Sequence, residues 1–428
     1  MAQEGRFTLR WVRYFVKRLR RGKLSEVEDE RKRQGRRREL PSIFTAMLVG
    51  LTAGCKSLRA IELLTESLSL PVRRRLGLKG RIPDTTMRDA LVRQHPFEVR
   101  KVLWAIIEDA HQRKALEPEG FPFGVLAMDG RDTAVDCWDH HYAQQNTHEK
   151  TYLSYGLVRT LSCCLASAKA KPSIDLVPIP AETNEMGIFP HAFESQVRRF
   201  GHLFQLVTYD SGAASKKNAQ LVVDWGKDYL FQINDERRFL YQRLKLCFEV
   251  DKVERAQTET LKCKEDGKVV IRRLYLLKAK EGFKDWLHLR TALRVNSQTL
   301  VGGRVVHEED RFFISSLKHT ALSYGQWLAL VRNHWSVENN CHNVWDKFFQ
   351  EDSLPIIDKD PRGMVVVMVL RRIAYALAAL FKSVTQRSDD KRQMPWREFF
   401  ERVRDVFCSA SDSQLLPLPE PQAATATS

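Results

Sequence analysis

Two short apolar runs, far apart in the chain, end in the same way. FGVLAMDG spans 123–130 and LFQLVTYDSG spans 203–212, and each closes on an aspartate with a glycine one or two residues after it. Runs of this length, rich in β-branched and aromatic residues and stopped by turn formers, read as buried strands. YGLVRTLSCCLA (155–166) and IDLVPIPAE (174–182) between them have the same character. PHAFESQVRRFG (190–201) has helical periodicity, as does 216–225, and DYLFQI (228–233) is a further strand. The series is three strands, a helix, a strand, a helix and a strand. Alternation of that kind specifies an α/β sheet with helices packed on it, although order alone leaves several such folds open.

On either side the pattern changes. From Leu40 to about Glu117 the apolar residues recur at helical spacing, with Leu40, Ile43, Met47, Leu48 and Leu51 on one face and Leu58, Ile61, Leu64 and Leu68 on another. Residues 240 to about 316 alternate and carry turn signals such as Glu265-Asp266-Gly267, which predicts a β-rich stretch. Helices resume near Ser323 and over Pro361–Ser383, and the end of the chain from Ser409 is rich in Ser, Pro, Ala and Thr, as disordered tails are. The expected division is a basic arm (1–39), a helical N-terminal domain (40–118), an α/β domain (119–360) with a β-rich insertion at about 240–316, C-terminal helices (361–408) and a disordered tail (409–428).

Charge narrows the partner. The formal net charge is +16, and residues 1–40 hold fourteen Lys/Arg against six Asp/Glu, half of that surplus. Phe7, Trp11, Phe15 and Leu19 recur every four residues with Arg10, Arg13, Lys17 and Arg21 between them, a basic amphipathic helix that runs on to RKRQGRRR with Arg36, Arg37 and Arg38. Such a surplus suits a polyanion, because each phosphate neutralised releases condensed counterions. The helix reads equally as a solvated arm or as a clamp on the DNA backbone; a membrane-surface role needs a second anchor that the sequence lacks. The longest apolar candidate for a membrane span, Met364 to Phe381, is interrupted by Arg371 and Arg372. The first residues do not read as a signal peptide. Eight cysteines form no CxxC pair, which predicts reduced thiols in a cytoplasmic protein.

A lone aspartate at a strand end is usually a turn former or helix cap. Asp129 and Asp210, on what should be neighbouring strands, invite a stronger reading. Paired carboxylates repel unless a divalent cation neutralises them, and ligation by oxygen alone favours magnesium or manganese. A third acid comes from the helix VRNHWSVENNCHNVWDKFFQED (331–352), where Glu338, His342 and Asp346 fall at i, i+4 and i+8 on one face. A zinc site through His334, Glu338 and His342 lacks the HExxH arrangement and spreads its ligands over two turns, a poor match to tetrahedral geometry.

These segments carry a family resemblance. RFFISSL, HWSVEN and HNVWDKFFQED, in that order within 311–352, resemble the C-terminal signature of the H-repeat-associated transposases, part of the DDE class of bacterial insertion sequences. LVTYDSGAASKKNAQLVVDWGKDYLFQIN resembles that family's second-aspartate block, VLAMDGRD its first, and LPSIFTAMLVGLTAGCKSLRAIELL its N-terminal domain. The likeness runs from about residue 40 to 383. It implies a ribonuclease-H-like catalytic core with a β-rich insertion, preceded by a helical N-terminal domain and followed by C-terminal helices. It also implies Asp129, Asp210 and Glu338 as catalytic ligands of two Mg2+ or Mn2+ ions. The insertion would account for the 128-residue spacing from Asp210 to Glu338. Arg131 stands where the family commonly has Lys, and Val331, His334 and Trp345 replace flanking members of the wider class's Tyr–Arg–Glu–Lys pattern. Arg131, Arg332, His334 and Lys347 are then the polar groups expected to contact DNA near the cut, with Arg36, Arg37 and Arg38 on the backbone. The implied activity is cleavage of transposon-end DNA and strand transfer to a target, by a homodimer on double-stranded DNA, in the bacterial cytoplasm at the nucleoid. A silent, DNA-binding derivative is disfavoured by the presence of all three acids. A metal-dependent nuclease that does not transpose would use the same site.

Overall fold

The computed structural model describes residues 2–415 apart from 34–35, 235–238, 251–252, 254, 263–266, 280–282, 284–285, 287, 337–342 and 387. Six helices come first: α1 (Ala2–Arg21), α2 (Leu40–Thr52), α3 (Leu58–Ser67), α4 (Leu70–Leu76), α5 (Asp84–Arg93) and α6 (Pro96–Gln112). The α/β series follows as β1 (Val125–Val135), β2 (Gln144–Thr147), β3 (Ser154–Leu165), β4 (Ser173–Ile179), α7 (Glu185–Phe200), β5 (Leu206–Tyr209), α8 (Lys216–Asp224) and β6 (Asp228–Ile233). Then come α9 (Phe239–Val250), β7 (Arg255–Lys262), β8 (Val269–Lys278), β9 (Thr291–Val301), β10 (Arg304–Ser315), α10 (Tyr324–Ser336), α11 (Asn343–Lys347) and α12 (Pro361–Leu380). A π-helical turn (Phe381–Thr385), α13 (Asp389–Gln393), α14 (Trp396–Ser409) and α15 (Asp412–Leu415) complete the described chain. Residues 416–428, most of the expected tail, and the turn acids Glu265 and Asp266 lie outside the described residues.

The chain forms two compact units, one of residues 114–343 and the other of residues 1–113 with 344–428. The first is α/β. Its ten strands make one mixed sheet in the order β2-β3-β1-β5-β6-β10-β9-β8-β7, with β4 also paired to β3. β1 is antiparallel to β3 and parallel to β5, and β5 is parallel to β6. Burial explains the arrangement: all four residues of β5 and the first four of β1 are buried, as strands covered on both faces require. The long β7–β10 meander joins the same sheet, because Phe312–Ser315 of β10 pair with Leu230–Ile233 of β6. The expected β-rich stretch therefore begins later than 240. Leu240, Leu244 and Phe248 are buried at intervals of four while Leu246 and Val250 are exposed, and this helical period overrides the local alternation to make α9.

The second unit is helical and departs from the division drawn from sequence. α12 is buried along its whole length and packs on α2, α5 and α6, so the N- and C-terminal helices share one core. It is long and apolar enough to cross a membrane by length and composition, yet all of that stretch is buried within the unit. Its two buried arginines share one buried carboxylate: Arg372 donates to both Glu351 oxygens at 2.7 and 2.6 Å, and Arg371 stands 3.7 Å from the same group. The basic segment is not a separate arm either. Trp11 and Phe15 are fully buried, and the Trp11 ring meets Phe381 edge-on at 4.9 Å and Phe399 at 5.4 Å.

Candidate active site

The two aspartates are positioned by neighbouring parallel strands. The register pairs Ala127 of β1 with Thr208 of β5, and Asp129 and Asp210 each stand two residues further on. Asp129 does not end its strand. Beyond Met128 the strand goes on alternating, with Arg131, Thr133 and Val135 buried and Asp132 and Ala134 exposed, held by β3 alone to Val135. What ends near Asp129 is the partner, β5, and the sheet steps down there to leave the aspartate at an edge, 9% exposed.

Asp210 leaves β5 in extended conformation and caps a short 3-10 turn, its Oδ1 accepting the Gly212 N–H at 2.8 Å. Burial pushes its carboxyl above the usual range, against the lowering effect of that N–H. It opens on a cleft of ≈ 430 Å³ lined also by Gln232, Asn234, Tyr241, Asp310 and His334.

His334 ties the C-terminal motif to this edge. On α10, its Nδ1 lies 3.1 Å from Oγ1 of Thr208, two residues before Asp210 and 126 residues away in sequence. The ring is 4% exposed, and burial pushes its pKa down to about 4, so it is neutral at pH 7. The expected DNA-contacting role therefore sits on a buried, hydrogen-bonded ring. Glu338 and His342 lie outside the described residues. Asp346, on α11, is exposed.

A further acid, Glu185, reaches the same edge and was not singled out by its sequence context. It is the first residue of α7, which Asn184 caps by accepting the Gly187 N–H at 2.9 Å. Its carboxylate lies against Gly130, where an added Cβ would stand 1.9 Å from Oε1. The Tyr209 hydroxyl donates to Oε2 at 3.4 Å. Burial raises the Glu185 pKa most, with the charges of Asp210 and Asp132 adding to it. The available signal was a helix-start motif, Asn184-Glu185, just after a strand that pairs in this sheet.

The remaining predicted contacts are dispersed. Arg131 is buried on β1. Arg332 is ion-paired to Glu259 of β7. Lys347 is exposed and belongs to the helical unit. Arg36 donates to the carbonyls of Arg31 at 2.7 Å and Asp29 at 2.5 Å; Arg37 is exposed and Arg38 half-buried.

The donor set suits a hard divalent cation. Asp129 and Asp210 offer only carboxylate oxygens, and Arg311, which lines the Asp210 cleft, is paired with Glu309 at 2.6 Å. Among the described residues no three His, Cys, Asp or Glu side chains gather closely enough to hold a metal ion. Of the three acids expected to act together, Asp129 and Asp210 are among the described residues and Glu338 is not.

No family model matches this chain, and no curated protein does. Among solved structures, the piggyBac transposase synaptic complex with hairpin DNA is similar at 13% identity and a TM-score of 0.42, over 98% of this chain and 87% of that one. A likeness of that quality does not assign a function.

Proposed function

We propose that this chain is a DDE transposase of the H-repeat-associated type, cutting transposon-end DNA and joining it to a target. The observation that carries the reading is the His334–Thr208 contact. It seats the helix that leads into HWSVEN on the strand that leads into Asp210, so two blocks of the family resemblance converge on one sheet edge. The sheet supports it as well. The order β4-β3-β1-β5-β6, with β1 antiparallel to β3 and parallel to β5, agrees with the ribonuclease-H-like core that the resemblance implies, and β7–β10 follow that series in the chain as the implied insertion would.

In this reading Asp129, Asp210 and Glu338 would hold two Mg2+ or Mn2+ ions. Two such ions would activate the attacking water or 3′-hydroxyl and neutralise the leaving oxygen. The chain's own part is to place oxygens and keep charge balanced. The Gly212 N–H fixes the Asp210 carboxylate, and a neutral His334 anchors α10 without adding a cation beside the ligands. The partner is double-stranded DNA, held as two ends by a homodimer, at the nucleoid in the bacterial cytoplasm. The test is strand cleavage by the purified full chain on duplex DNA carrying the sequence that flanks its own gene, with Mg2+. Nicking at the element boundary supports the reading; degradation without regard to the boundary makes the chain a nuclease instead.

A further inference from the structure

Helix α1 carries two kinds of cation. Arg18 turns inward, ion-paired with Asp109 and 5.7 Å over the Tyr14 ring, and Arg10 donates to the Thr385 carbonyl at 3.1 Å. Arg13, Lys17 and Arg20 lie on the opposite, exposed face at i, i+4 and i+7. Among the described residues none of the three has a carboxylate within 4 Å, whereas Lys23 just beyond is paired with Glu26 at 3.0 Å. Like charges at this spacing cost an isolated helix a few tenths of a kcal/mol per pair.

The stripe continues onto α4. Arg73 there is occupied by the carbonyls of Glu66 and Leu68 at 2.9 and 3.3 Å, but Arg74 is exposed with no ion pair among the described residues. Arg20 and Arg75, the latter also donating to the Leu415 carbonyl at 2.9 Å, line one surface cleft together with Val16, Leu24, Pro41 and Thr45, so one cation from each helix meets at its rim, with Lys17 and Arg74 on the adjoining exposed turns.

Resting on the reading above, we infer that this rim, and not Arg36–Arg38, is where the helical unit grips the phosphate backbone of duplex DNA. Arg13 to Arg20 spans roughly 10 Å of helix axis, about the rise of three nucleotides on one strand. An anionic membrane is the poorer partner. Binding a bilayer requires a free apolar face, and that of α1 is already buried: Phe7, Trp11, Phe15 and Leu19 pack inside the unit.

The test is the salt dependence of binding to a 30-base-pair duplex, by fluorescence anisotropy, for the full chain and for Lys17→Gln/Arg20→Gln/Arg74→Gln. Three lost phosphate contacts lower the log–log slope by about 2.7 and shrink the affinity loss between 50 and 200 mM salt by about 40-fold. Arg36→Gln/Arg37→Gln/Arg38→Gln is expected to leave the slope within about 1 of the parent. Should the first triple variant misfold by its circular dichroism melt, the pair Lys17→Gln/Arg74→Gln is expected to lower the slope by about 1.8. A parent that binds duplex while the rim variants keep its slope overturns the inference and leaves the proposed function standing. A parent that binds no duplex at any salt overturns the proposed function itself. Co-sedimentation with phosphatidylserine vesicles that duplex DNA does not compete away would assign the rim to membranes and overturn the inference.

Discussion

His334 offers a way to test the packing of the site without any nucleic acid. Its pKa falls from an ordinary 6.5 to about 4 because the ring is buried on Thr208. The folded pKa lies below the unfolded one, so the unfolded chain takes the proton first. The stability associated with the neutral ring is complete above pH 6.5, declines as pH falls, and is gone below about pH 4. A shift of this size is worth about 3 kcal/mol in full and about 2 kcal/mol by pH 5. His334→Asn keeps a polar group near the Thr208 hydroxyl and removes the titration. Urea unfolding of parent and variant at pH 7 and pH 5 isolates the effect, because carboxylates titrate in both proteins and cancel in the difference. The parent should lose about 2 kcal/mol more than the variant between those two pH values. If the gap between them is the same at both pH values, the ring titrates normally. In that case α10 is not seated on β5, and the strongest support for the proposed site goes with it.

Other perturbations address different parts of the chain. Glu338→Gln is expected to abolish cleavage while leaving DNA binding nearly intact, whereas Asp346→Asn, at an exposed position, should cost little; the reverse pattern in a nicking assay assigns the wrong acid. Cleavage should need Mg2+ or Mn2+, and activity that persists in excess EDTA or appears only with zinc contradicts oxygen-only ligation. Gly130→Ala must push the Glu185 carboxylate aside, so its effect on cleavage should overlap with that of Glu185→Ala, with a coupling of about 1 kcal/mol in the double variant; strict additivity means the two do not share a site. Trp11→Ala empties the centre of an aromatic cluster and should destabilise the helical unit by about 3–5 kcal/mol in chemical denaturation, while an effect below about 1 kcal/mol would make α1 the detachable arm that its charge suggested.

How far the fold could be read from sequence depended on where each element finds its cover. β5 and β6 are short runs buried by their immediate neighbours in the sheet, and their limits follow from composition. β1 overran its apolar segment because β3 supplies hydrogen bonds past the point where β5 stops, which no local pattern records. The α1 stripe was visible as amphipathic, but its covering rings, Phe381, Phe399 and Phe407, come from the other end of the chain. With nothing nearby to bury it, an apolar stripe beside many cations resembles an arm. The same distance hides Glu351, an acid at the end of the third motif that turns out to neutralise Arg372 of α12.

The site divides along the same line. An aspartate that closes an apolar run is conspicuous because the run breaks there, and both Asp129 and Asp210 announce themselves in that way. The residues that relate them to other elements do not. Thr208 is an ordinary strand threonine until His334 is placed on it, and Glu185 is an ordinary helix-start acid until Gly130 leaves room for its carboxylate. A threonine or glutamate of this kind has many bland uses, so only a contact across the fold distinguishes it. The two glycines beside the aspartates show the difference most clearly. In sequence both read as turn formers. In the fold Gly212 does close a turn, holding Asp210 through its N–H, whereas Gly130 lies within an extended strand and matters for the side chain it lacks. Its substitution by alanine therefore acts on an acid 55 residues away, through space alone.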